Sequence, residues 1–348
     1  MKKQILAVAV AGAFAVPAFA AADTNVTLFG QLQTQIVHHS GSGDGGTFNS
    51  GFRQTDAGGL GFGLGDGSGP SRIGVMVNHD LGNGLTALLK MESSATTQDA
   101  FGAARDNYVG LDGDFGRVIA GRMSSSYSTA GKDPLNATFM QGRANGARLG
   151  GLNGFGNGSY VNRGVRYSNS FGIVSLDAGV FIDNADDSDT AYSARLNFDL
   201  NPVELYIAHS QADDFVGEGR GPSPVFGDFR ASKVGVDWST GPFRLVAEVE
   251  DFDWDDASPT GSNRGNTYFV SGTYTMGRND FVLNLGHTRL KDGDPNTDYA
   301  AIAVKHNFSN RVMAFAGVGY TSTDDAAIGP DTGDLSFTGV GGGMRVSF

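Results

Sequence analysis

The chain has no cysteine among its 348 residues. Disulfide cross-links, thiol catalysis and cysteine-ligated metals are therefore excluded. Past the first twenty residues it also lacks any apolar run near the roughly 18 residues that a membrane-spanning helix requires. Its later apolar stretches are broken every one to three residues. Proline is sparse, at 10 residues, while glycine is abundant, at 53, a balance that suits tight turns and crowded strands. Basic charge is short as well. The formal net charge is −12, and loss of the two positive charges of Lys2 and Lys3 would make it −14. Such an acidic chain argues against nucleic acid as a partner, whose phosphates call for basic surfaces.

The first twenty residues read as a removable export signal. Lys2 and Lys3 form its positive start, Ile5 to Val16 its apolar core, and Ala18-Phe19-Ala20 a small-x-small cleavage site. The core is too short for a membrane anchor, and Pro17 breaks it. Residues 1–20 are thus expected to be cleaved, leaving 21–348 as a single domain.

What the remainder does contain is a rhythm. From about Asn25 to Phe348, apolar residues recur at every second position in bursts of roughly ten that end in Gly, Asn or Asp. Leu205 and Ile207 mark one face of such a burst, and Phe281, Leu283 and Leu285 another; the alternate positions are polar and often charged. Counting in twos gives sixteen strands, an even number. The connections alternate short and long: Asn83-Gly84 makes a tight hairpin, for example, while Ser124 to Ser159 is the longest loop and Thr321 to Asp334 another long one. Aromatics near strand ends (Phe29, Phe198, Trp238, Phe308, Tyr320) read as interfacial girdles. One greasy and one polar face per strand, with short turns at one end and long loops at the other, predicts an antiparallel transmembrane β-barrel with lipid outside and water inside.

Several pieces, in order, resemble the general diffusion porins of Gram-negative bacteria, in their beta-proteobacterial and neisserial branch. They are Val26-Thr27-Leu28-Phe29-Gly30, Ser71-Arg72-Ile73-Gly74, Asp80-Leu81-Gly82-Asn83-Gly84-Leu85, Tyr108-Val109-Gly110-Leu111, Gly121-Arg122 and the terminal Phe348. The resemblance implies a sixteen-stranded homotrimer in the outer membrane, amid its lipid and lipopolysaccharide, with one pore per subunit for small hydrophilic solutes and ions. It also implies that the third loop folds into the pore, and that Phe348 is the signal for the barrel assembly machinery. One departure stands out. Family members usually place a basic residue or His just before the last Phe, whereas here Val346-Ser347 precedes it, with Arg345 further back.

The resemblance also marks a constriction. Ser124 to Ser159 would be the inward loop, with Lys132, Asp133, Arg143 and Arg148 giving it a charge of +2. On the opposite wall, Arg72, Lys90 and Arg166 project inward by alternation, and the setting of Arg72 matches a family wall arginine. Arg105 matches another, and Glu92 an acidic lumen position. Alternation puts Arg105 on the face of Val109, so a bulge or a place near the rim is expected there. Arg122 sits where its strand ends. These basic groups outnumber Glu92 and Asp133, so a modest anion preference is expected. The vestibule would be acidic, through Asp183, Asp186, Asp187, Asp189, Asp251, Asp253, Asp255 and Asp256.

Other chemistry finds little support. The 183–189 segment lacks the spacing and closing Glu of an EF-hand, and Gly58 to Gly69 lacks the Gly-Lys-Ser/Thr ending of a phosphate loop. The six histidines form no zinc-protease pattern, and no nucleophile–base pairing is visible. No enzyme activity, metal or cofactor is expected. Two alternatives stay open: a solute-specific channel for small anions, though no continuous aromatic track marks the inward faces, and a barrel adhesin.

Overall fold

The computed structural model describes residues 24–43, 50–56, 59–60, 69–146, 156–158, 160–182, 190–213, 215, 228–254, 263–291, 296–328 and 331–348. The expected signal segment, Arg148, Asp183 to Asp189, Asp255, Asp256 and most of Gly58 to Gly69 lie outside them. Strands dominate: β1 (Thr24–Gly43), β2 (Gly51–Thr55), β3 (Arg72–Gly82), β4 (Leu85–Ser94), β5 (Ala104–Gly113), β6 (Gly116–Ser124), β7 (Tyr160–Phe171), β8 (Val174–Ile182) and β9 (Thr190–Asp199) come first. There follow β10 (Val203–Ala212), β11 (Phe229–Thr240), β12 (Phe243–Trp254), β13 (Asn263–Met276), β14 (Asn279–Leu290), β15 (Thr297–Asn307), β16 (Val312–Ile328) and β17 (Asp331–Ser347).

β1 pairs antiparallel with β3, each strand from β3 onward pairs antiparallel with the next, and β17 returns to β1, from Gln31↔Ser347 to Gly43↔Leu335. The short β2 is a loop strand against one edge of β1, so sixteen strands form the closed wall. The expected architecture is therefore present. Local chemistry sets the short turns: Asn83 and Gly84 both hold positive φ, 54° and 75°, as a two-residue hairpin twisted with its strands requires.

Alternation sorts the faces. Leu205, Ile207, Phe281, Leu283 and Leu285 are exposed on the outside, while Tyr206, Ala208, Val282 and Asn284 are buried within. Three local expectations need correction. Phe29 is no girdle residue: its ring lies on the Gly74 backbone, and the Lys90 ammonium sits 5.5 Å from its centre, so it belongs to the inner face. Val161 and Val165, which a strict period of two would put together on the apolar outer face, lie on opposite faces, because the ladder shifts between Gly121 and Met123, and Arg163 across from that shift has φ 57°. Finally, Thr321 to Asp334 is no long loop. The β16–β17 hairpin continues past a bulge to Ile328↔Asp331.

The interior is only partly polar. The third loop folds inside the barrel, with Tyr127, Leu135, Phe139 and Met140 fully buried. They join two dry clusters with inward aromatics of the wall: Phe181, Tyr206, Phe229 and Phe252 in one, Phe269, Tyr299 and Phe315 in the other. Leu60 of the first long loop joins the second cluster, and its N–H donates to Asn145 Oδ1 at 2.6 Å. Room is made by glycine. A Cβ at Gly317 would stand 2.5 Å from Met140 Sδ, and one at Gly339 would collide with Leu60.

Two outcomes test this packing. Leu285→Arg, on the outer face, should destabilise the barrel by about 2–4 kcal/mol in lipid vesicles, read by urea unfolding through tryptophan fluorescence. Phe139→Ala should remove about 3–5 kcal/mol of loop packing. Its expected signature is faster proteolysis within 125–146, with the barrel left resistant.

Candidate pore constriction

The third loop is fastened to one side of the barrel. From β1, Gln33 Nε2 donates to Ala137 O at 2.5 Å, and Gln35 Oε1 accepts from Phe139 N at 3.0 Å. Further round, Ser193 Oγ accepts from Tyr127 N at 2.8 Å, Arg195 donates to Thr129 O at 3.0 Å, and Thr321 Oγ1 donates to Asn145 O at 3.0 Å. Tyr299 OH donates to Met140 O, and Ser126 Oγ to Asp177. A buried ion cluster sits behind the loop. Lys233, whose side chain is 0% exposed, lies 3.1 Å from Glu250 and 3.4 Å from Glu248, donates to Asn157 Oδ1 at 2.5 Å, and stands 4.1 Å over the Tyr127 ring. A buried ion pair adds little net stability, but removing one partner leaves a costly bare charge, so this set fixes position.

Two of the loop charges singled out from the sequence serve as fasteners. Lys132 pairs with Glu204 on β10 and lies 3.4 Å from Asp237 on β11. Asp133 accepts from Leu135 N at 2.8 Å, Asn284 Nδ2 at 2.7 Å and Gly142 N at 2.8 Å. Arg143, on the short 3-10 turn Arg143–Asn145, donates to Asn157 O at 2.6 Å. Arg166 is inward, but it stands at the root of the loop, donating to Ser124 O at 3.0 Å and lying 3.7 Å from Asp177.

The wall formed by β3, β4 and β5 carries a separate set of charges. Its centre is Glu92, nearly buried, which pairs with Arg105, with Lys90 at 2.9 Å and with Arg72 at 3.7 Å. Lys90 also reaches Asp106 at 2.7 Å. Arg105 comes inward through a bulge: Met91 pairs with Asn107 but Ser93 pairs with Ala104, which puts one extra residue in β5. Tyr160 at the start of β7 takes Arg105 and Arg122 over its ring, at 5.0 and 5.7 Å. Arg122 also donates to Asn162 Oδ1 at 2.7 Å. The structure thus gathers Arg72, Lys90, Glu92 and Arg105, with Arg122 beside them across Tyr160.

Sequence reasoning missed Asp106, Tyr160 and the inward aromatics. An aromatic on the polar phase of an alternating strand is itself a signal that something packs inside, and Tyr206, Phe269 and Tyr299 carry it. The acidic vestibule also needs revision. Asp251 and Asp253 share the outer phase of Val249 and pair with Lys291 at 2.7 Å and Arg264 at 3.3 Å, so they face away from the channel.

The model of the Gram-negative porin family matches residues 7–326. Outer membrane porin protein 32 of Delftia acidovorans is 25% identical over 346 residues, covering 94% of this chain and 91% of that protein. Major outer membrane protein P.IB of Neisseria meningitidis serogroup A is 33% identical, but over 138 residues, 38% of this chain and 36% of that protein. This match therefore spans about a third of the meningococcal relative. Among solved structures, the anion-selective porin from Comamonas acidovorans superposes with a TM-score of 0.73 at 21% identity, over 94% of this chain and all of that one. A trimer form of Vibrio cholerae OmpT gives 0.64 at 13% identity, over 94% of this chain and all of that one. A closed sixteen-stranded wall, an inner loop pinned to one side and a family match across most of the sequence lead to one conclusion: this chain belongs to the Gram-negative porin family of outer-membrane β-barrels.

Proposed function

We propose that the chain forms a water-filled channel for passive diffusion of small hydrophilic solutes and ions, with a modest preference for anions. The observation that carries this reading is the charge gathered on the inner wall of β3, β4 and β5. Three cations, Arg72, Lys90 and Arg105, gather on Glu92 with Asp106 beside them, and Arg122 adds a fourth. Positive charge is in excess there. On the loop side, Asp133 is engaged by three donors. Fixed charge beside a narrow, partly low-dielectric passage biases which ions enter. Polar solutes align in such a field, whereas apolar ones lose hydration without compensation. The anion selectivity named for the Comamonas structure agrees with this sign.

The chain is read as a channel and not an enzyme, and as a homotrimer, in line with the trimer form named for OmpT. Its apolar outer band suits lipid and lipopolysaccharide. Phe348, whose backbone exchanges hydrogen bonds with Gly30 at 3.0 and 3.3 Å, is read as the mark recognised by the barrel assembly machinery.

In planar bilayers under a KCl gradient, the purified protein should conduct in steps with a reversal potential on the anion side. Glu92→Gln should strengthen that preference. One unit charge at about 10 Å in water is worth about 0.4 kcal/mol, so the anion-to-cation permeability ratio should rise about two- to fourfold at low salt. An unchanged or lowered ratio would contradict the wall assignment.

A further inference from the structure

Side chains fill most of the outer face of the wall, but one position in mid-strand is left empty. Gly272 lies on β13 in the outward phase, between exposed Val270 and Tyr274. It pairs with Leu245 on β12 and Leu283 on β14, and neither ladder shifts register there. Glycine inside a strand weakens it, and it marks a bulge, a bend or a close approach by something else. Approach explains Gly317, Gly339 and Gly343, where a Cβ would collide with a neighbour. At Gly272 a Cβ would meet nothing within 4 Å. The space is kept open, yet no other part of the described chain enters it.

The notch belongs to a groove. Leu245 and Leu283 flank it, and Phe243, Tyr274 and Phe281, paired in register with one another, lie one step nearer the short turns. All five side chains are exposed. The groove holds about 590 Å³, within the range of small-molecule sites.

Six residues along the chain from Gly272, Arg278 stands in the short turn between β13 and β14. At about 3.3 Å per residue and a strand tilt of about 40°, that is roughly 15 Å along the membrane normal, about half the hydrocarbon core. Arg278 is exposed and donates to Phe308 O at 3.1 Å, in the neighbouring turn between β15 and β16, where Arg311 is exposed too. Among the described residues no carboxylate is in ion-pair range of either guanidinium. An apolar groove and two free cations thus lie on one face, one leaflet's depth apart. That is the layout of a single amphiphile, with phosphate at the rim and chain in the groove.

We propose that the outer face of β12 to β15 binds one phospholipid from the leaflet at the short-turn end. Arg278 and Arg311 hold its phosphate, and an acyl chain lies over Gly272. Two guanidinium forks favour an anionic lipid. The inference goes beyond the channel reading and is independent of it, because the site faces away from the lumen.

The test is native mass spectrometry of the full protein, stripped of lipid in detergent and titrated with phosphatidylglycerol. Wild type should take up one lipid per chain in a saturable way. Gly272→Phe, which fills the notch, should weaken uptake about tenfold, the worth of about two buried methylenes. Arg278→Gln should also weaken it about tenfold, the loss expected for a charge-assisted hydrogen bond. Ala194→Phe, at an exposed position of β9, should bind as wild type. If Gly272→Phe does not fold, by the criterion of heat-modifiable migration, Arg278→Gln alone decides, and wild-type affinity from it sinks the site. Lipid adducts that grow without saturation, or a Gly272→Phe chain that binds like wild type, mean boundary lipid only and overturn the site. A change of oligomeric state in Gly272→Phe would give the groove to a second copy of this chain, and overturns it likewise.

Discussion

A peptide group inside hydrocarbon has no water to bond, so every N–H and C=O of a spanning strand must find a partner within the protein. In this chain that requirement falls hardest on β1. Its first half, Thr24 to Gln31, pairs with β3, and from Gln31 onward its other edge pairs with β17. Because β3 begins only at Arg72, the upper part of β1 would be left with an open edge. The five residues of β2 cover it, from Gln35↔Thr55 to His39↔Gly51. At the opposite end of the seam, Phe348 exchanges bonds with Gly30, which completes the ladder where β17 stops. The first loop and the last residue are thus both parts of the closure.

Closure creates a second demand. A wall whose inner face were wholly polar would enclose a wide aqueous bore, since a barrel of this strand number leaves room for one. Holding a loop inside needs dry surface, and this wall supplies it from β6 round to β1. Inward aromatics from β8, β10, β11, β12, β13, β15 and β16 form two clusters under the loop. Each side chain the size of Phe139 adds about 1.5–3 kcal/mol when fully buried. Polar fasteners such as Asp133, Lys132 and the Lys233 cluster then set where the loop lies, because apolar contact alone has no direction. The lumen thus has a packed arc, where buried apolar side chains meet the loop, and a short charged wall on β3, β4 and β5.

Much of this was legible in the sequence, because the period of two survives wherever one face meets lipid. Leu205 and Ile207, or Phe281, Leu283 and Leu285, fix both strand and face, and Asn83-Gly84 fixes its turn. Legibility failed where the period breaks. One inserted residue reverses every side chain beyond it, so the bulges beside Arg105 and Arg163 hid which way Arg105 and Val161 point. Phe29 misled because an aromatic near a strand end suits both a girdle and a cation perch, and only its partner, Lys90, distinguishes them. The length of the β16–β17 hairpin was hidden by the small and acidic residues of 322–328 and 331–334, which look like loop but lie in strands. For the constriction, charge type and rough position could be read, but pairing could not: Lys132 and Arg105 look alike in sequence, yet one fastens the loop and the other lies on the open wall.

Pairing also explains how a chain of net charge −12 can carry a lumen wall with a surplus of cations. Charge acts on a permeating ion only within about a Debye length, roughly 10 Å at 0.1 M salt. Carboxylates on the outer surface, such as Asp251 and Asp253, are neutralised locally by Lys291 and Arg264 and lie across the wall from the water column. Within the lumen, a carboxylate ringed by cations presents its neighbours' positive surplus rather than its own charge, as Glu92 does. The field at the narrowest point is therefore set by the few groups whose charge is left over after local pairing. Composition, which weighs every residue equally, gives only the overall sign, and the charge of a given wall follows from geometry instead.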